Sequence, residues 1–91
     1  MDAKEKINNL RHKIDDLDNQ ILDLLVQRFA VSREIGAIKA AEGLVVVDPD
    51  REKEIVDRLS QKLAGKMDHD DISAIFGPIY QISKKLQSES K

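Results

Sequence analysis

The 91 residues are 41% apolar and 35% charged, which fits a single folded domain over 1–91 and exceeds the apolar content of a disordered tail. A net charge of −2 gives no global pull toward phosphate backbones or anionic membranes. With two Phe, one Tyr and no Trp there is also no platform for stacking bases, so neither nucleic acid nor membrane is expected as a partner. The lack of cysteine excludes disulfides and thiolate chemistry, and no apolar stretch reaches signal-peptide or spanning length, so a cytoplasmic protein is expected.

The first segment contains neither Pro nor a turn cluster. Apolar residues recur at Ile7, Leu10, Ile14, Leu17, Ile21, Leu24, Val31, Ile35 and Ile38, the heptad alternation of threes and fours. Gly43 stands where a helix C-cap belongs. The pattern predicts one helix over about 3–41. Such a helix is roughly 55–60 Å long, against a radius of gyration of about 12 Å for a compact domain of this size. The remaining residues are too few to cover it, so a second copy of the chain is expected against it.

Val45, Val46 and Val47 read as a short extended link. Asp48 is a good N-cap and Pro49 suits the first helical position, so a second helix is predicted over about 49–64, with Ile55, Val56, Leu59 and Leu63 as its apolar stripe. Gly65, Lys66 and Met67 make a turn. Asp68, with Asp71 three residues on, opens a third helix over about 69–87 that carries Ile72, Ile75, Phe76, Ile79, Ile82 and Leu86. Gly77 and Pro78 fall inside it, where a proline removes a hydrogen bond and a local bend is expected.

Several polar residues occupy places where the pattern calls for apolar ones. Continuing the heptad from Ile7, Ile14 and Ile21 leads to Arg28, and a seam arginine needs either a protein carboxylate or an anionic ligand. Lys39 shares the face of Arg28, roughly 16 Å along the axis. Arg11 is some 25 Å from Arg28 in the same helix, but in an antiparallel pair of helices it approaches the Arg28 of the other copy. Glu52 lies in line with Val56, Leu59 and Leu63. Ser83 and Gln87 continue the inward line of the third helix. These residues also admit structural readings: an ion pair of Arg28 with Glu52, dipole compensation by Lys39, a simple cap at Asp48, and back-bonding of Ser83 to a helix carbonyl.

Taken in order, the residues resemble those of a known family. Leu10-Arg11-x-x-Ile14-Asp15-x-x-Asp18, Leu24-Leu25-x-x-Arg28, Ile35-Gly36-x-x-Lys39, Asp48-Pro49-x-Arg51-Glu52 and Ile79-x-x-x-Ser83-x-x-x-Gln87 are together similar to the all-helical chorismate mutases of the AroQ class. The resemblance covers nearly the whole chain. It implies an all-α fold of three helices per chain, intertwined as a homodimer in which both chains build each site. It also implies the [3,3] rearrangement of chorismate to prephenate on the route to phenylalanine and tyrosine. Carried over by position, Arg28 and the other copy's Arg11 would bind the two carboxylates of the dianionic substrate. Lys39 and Gln87 would hydrogen-bond the ether oxygen, and Glu52 and the Asp48 region would hold the ring hydroxyl. Ser83 and Arg51 would support carboxylate binding and the surrounding network.

A unimolecular pericyclic reaction needs no nucleophile, general base, metal or cofactor, and His12 and His69 form no ligand pair. It needs a reactive conformer and positive charge at the ether oxygen. Two rivals share the fold. Isochorismate-pyruvate lyases resemble these mutases but do not keep the Arg51-Glu52 pair in this form and lack the Ser83 equivalent. A chorismate- or prephenate-sensing regulatory domain of a shikimate-pathway enzyme resembles them as well. A plain helical dimerisation module leaves the inward polar residues unexplained.

Overall fold

The structure, a computed structural model, describes residues 2–46 and 49–89, and of Pro49 only the backbone. Three helices make up the described chain: α1 (Ala3–Glu42), α2 (Pro49–Lys62) and α3 (His69–Glu89), with no strand among the described residues. The all-α, three-helix expectation holds. The Asp48 expectations, as helix cap and as part of the hydroxyl site, lie outside the described residues.

Helix ends follow from local chemistry. Asp2 caps α1: its Oδ1 accepts the Glu5 N–H at 2.8 Å, and its carbonyl takes the Lys6 N–H at 3.1 Å. At the other end Gly43 takes a left-handed φ of +67°. The Leu44 N–H then returns to the Lys39 carbonyl at 2.8 Å and the Gly43 N–H to that of Ala40 at 3.4 Å, the two bonds of a Schellman cap. Asp68 caps α3, its Oδ1 accepting the Asp71 N–H at 2.8 Å. α2 stops at Lys62, two residues short of the expected 64, because Leu63 and Ala64 pass into the turn that Gly65 closes with φ +80°. α3 runs on to Glu89 and passes through Pro78 without ending. Gly77 helps, since a residue without a Cβ avoids the clash that a following proline ring imposes on helical backbone.

The chain divides into two compact units, 1–30 and 31–91. In the first, the heptad row of α1 is half in water: Ile7, Leu10, Ile14, Leu17, Ile21 and Leu24 are 48–64% exposed. In the second, a small core gathers Ile55, Val56, Ile72 and Tyr80, with Leu59, Leu63 and Phe76 packed around it. The Phe76 and Tyr80 rings stand 5.9 Å apart at 40°, inside the range of favourable tilted pairs. Ile72 is wholly buried, worth about 1.5–3 kcal/mol in transfer terms. This core fastens α2 to α3 and so fixes the polar residues that both helices carry.

Candidate functional site

The site residues of the second unit sit where α1 ends and α3 passes it. Ser32 and Gly36 are buried on α1, and Lys39, half-buried, follows at helical spacing on the same face. Gly36 is the point of closest approach. A Cβ there would lie 2.5 Å from the Gln87 Cα and 2.7 Å from the Gln87 carbonyl oxygen. Only a residue without a side chain lets the α3 backbone come this near.

That approach delivers the Gln87 side chain to Lys39. The Lys39 Nζ donates to Gln87 Oε1 at 3.0 Å and to the Val46 carbonyl at 3.3 Å. The Schellman cap contributes as well, because it folds 44–46 back over the last turn of α1, where the Val46 carbonyl can accept from Lys39. An ammonium has three donors, so two anchor the side chain and the third remains for a ligand. Gln87 accepts through its oxygen, which leaves its amide nitrogen as a second donor at the same place.

One turn earlier on α3, Ser83 is buried. Its neighbour Lys84 reaches Glu52 on α2, Nζ to Oε1 3.0 Å, with the two side chains 28% and 33% exposed. Lys84 stands outside the expected set. The line Phe76–Tyr80–Lys84, spaced by fours, was its sequence signal. Gly36 belongs to the quoted pattern, but its role depends on a backbone approach that no pattern displays. Arg51 is exposed and pairs with Glu54 at 3.2 Å on the same helix, a contact worth little in water. Arg11, exposed, and Arg28, half-buried, belong to the first unit.

An open groove elsewhere between α2 and α3 is lined by Glu52, Asp57, His69, Ser73 and Tyr80, among others. His69 Nε2 lies 3.4 Å from Asp57 Oδ1 there. Glu52, Asp57 and Lys53 share its wall, whereas the Lys39–Gln87 corner presents an ammonium and an amide donor. Among the described residues no three His, Cys, Asp or Glu side chains are grouped to hold a metal, and no helix is long and apolar enough to cross a membrane.

Comparison with known proteins gives four findings. Residues 10–88 match the family described as chorismate mutase type II. The chain is 36% identical over 87 residues to a chorismate mutase of Methanocaldococcus jannaschii, covering 93% of this chain and 87% of that one. It is 38% identical over 55 residues to a bifunctional chorismate mutase/prephenate dehydratase of Aquifex aeolicus, covering 60% of this chain but 15% of that much longer protein. Among solved structures, the chorismate mutase from Helicobacter pylori in complex with prephenate superposes with a TM-score of 0.86 at 32% identity, over 94% of this chain and 93% of that one.

Proposed function

The chain belongs to the chorismate mutase type II family, and we propose that it rearranges chorismate to prephenate with the Lys39–Gln87 pair as its catalytic centre. The observation that carries this reading is the 3.0 Å bond by which Gln87 Oε1 holds the Lys39 ammonium, leaving one lysine donor and the glutamine amide free. As the ether C–O bond breaks and the new C–C bond forms, negative charge grows on the ether oxygen. Two donors fixed beforehand stabilise that charge without reorganising. Nothing else needs a proton moved.

The rest of the site restrains the substrate. Arg28 and, from a second copy, Arg11 receive the two carboxylates in planar, bidentate fashion. Glu52 accepts the ring hydroxyl, and Ser83 and Arg51 complete the polar surround. Holding the enolpyruvyl arm over the ring turns a floppy reactant into a near-attack conformer. A homodimer is part of the same proposal. It is supported by the half-exposed row from Ile7 to Leu24, which has no cover within its own unit and which a second α1 would bury.

Loss of chorismate absorbance with and without the protein tests the activity, and no acceleration refutes it. The shared site has its own test. Arg11→Ala and Arg28→Ala are each expected to be inactive. After subunit exchange, each heterodimer would hold one intact site and one doubly damaged one, so activity should partly return. No recovery, with heterodimers demonstrated, refutes a two-chain site.

A further inference from the structure

We propose that Lys84 is a positioning residue for the same reaction: it clamps Glu52 so that one carboxylate oxygen is fixed and the other is left to accept the substrate's ring hydroxyl. The inference rests on the mutase reading above.

The Lys84–Glu52 pair differs from the Arg51–Glu54 contact of the same unit. Arg51 and Glu54 are 57% and 66% exposed and lie on one helix, whereas Lys84 and Glu52 are 28% and 33% exposed and join α3 to α2. Lys84 follows the buried Ser83 and precedes Gln87 by three residues, so it is about 4.5 Å along the axis from the catalytic pair. The ammonium lies 3.0 Å from Oε1. That leaves Oε2 as the acceptor with no cation drawn to it by this pair.

Charge gives a second reason. A bare carboxylate beside a dianionic substrate repels it, and the repulsion is strong in a partly buried site. Lys84 cancels that charge while keeping the acceptor. Glu52 can then serve a substrate that already carries two negative charges. Lys84 reaches the reaction only through Glu52.

The hydroxyl is held alike in substrate and transition state, so losing the clamp should weaken binding more than turnover. Lys84→Met is expected to raise KM about 10- to 100-fold, the span for losing a hydrogen bond to a charged group, with kcat within about threefold. Lys84→Arg should restore most of the loss. In a Glu52→Gln background, Lys84→Met should change KM by less than about twofold, since the two act as one unit. Where Glu52→Gln turns over too slowly, calorimetric Kd values for prephenate on the same four proteins measure the same coupling.

An unchanged KM in Lys84→Met, or an equal penalty with and without Glu52, overturns the role. A lowered melting temperature with KM unmoved makes Lys84 a brace between helices and also overturns it. Wild-type protein that neither turns over chorismate nor binds prephenate overturns the mutase reading and this inference with it. Wild-type turnover with an indifferent Lys84→Met overturns this inference alone.

Discussion

Gly36→Ala tests whether backbone approach, as much as side-chain chemistry, builds the catalytic pair. The added Cβ would stand 2.5, 2.7 and 3.0 Å from the Cα, carbonyl oxygen and carbonyl carbon of Gln87. Ordinary carbon contacts lie at about 3.5–4.0 Å. All three obstacles are backbone, so no rotamer change relieves them, and α3 must retreat by about 1 Å at Gln87. The Lys39–Gln87 bond of 3.0 Å would then stretch past the limit of hydrogen bonding. A misplacement of that size costs about a hundredfold in rate.

Stability moves less. Overpacking costs about 1–3 kcal/mol, while replacing glycine inside a helix returns up to about 1 kcal/mol. A net loss near 1 kcal/mol lowers the melting temperature by about 4–8 °C for a domain of this size. The assay is kcat at 25 °C beside a thermal melt at fixed protein concentration. The expected result is a rate loss far larger than any unfolded fraction explains. Wild-type kcat in a protein that melts normally would refute the argument.

Other outcomes follow from the same geometry. Lys39→Met keeps the stem and removes the charge, so kcat should fall about 10²- to 10³-fold, as when one preorganised donor is lost; a loss below tenfold counts against its place at the ether oxygen. Gln87 donates as an amide at any pH, so wild-type turnover should stay flat between about pH 5 and 8. Gln87→Glu donates only when protonated, so its activity should be greatest in acid and fall as pH rises past the ordinary glutamate range near about 4.3; a pH-independent Gln87→Glu enzyme refutes that donor role. Asp68→Ala removes the α3 cap seen at 2.8 Å and should cost about 1 kcal/mol. A melt checks it, and kcat at 25 °C should be unchanged.

The three helices were legible because their signals are local. The heptad row, the Pro49 and Asp68 starts and the glycine after the first helix each act within a few residues. Arg28 was legible as an exception to a period. Lys84 and Gly36 were harder. Lys84 is charged and follows a serine, and only its ion pair with Glu52 across two helices reveals what it does. Gly36 matters for atoms that it lacks, and its partner is the backbone of a residue 51 positions away, Gln87. The spacing by fours from Phe76 and Tyr80 puts Lys84 on their line, but neither contact can be read from a period. Both appear only when packing between helices is fixed.

The same contrast explains why this site is built from backbone approach and from ion pairs instead of from reactive groups. A reaction that needs no acid, base or metal puts its whole demand on placement. In the proposed role, Lys39 meets that demand through three features with separate origins. The Schellman cap at Gly43 brings the Val46 carbonyl to the ammonium, and the missing side chain at Gly36 lets α3 approach. Gln87 then accepts the ammonium at 3.0 Å. The bonds to Val46 and Gln87 each use one donor of the lysine, so the last donor has a defined direction before any substrate arrives. Preorganisation of this kind lowers the barrier because its entropic cost is met during folding, in part by the core of Ile55, Val56, Ile72 and Tyr80 that holds α3, the helix of Gln87. A change in that core that shifts α3 should therefore lower kcat through Gln87 before a thermal melt shows a loss of fold, and a melt that falls with kcat unmoved would refute the link.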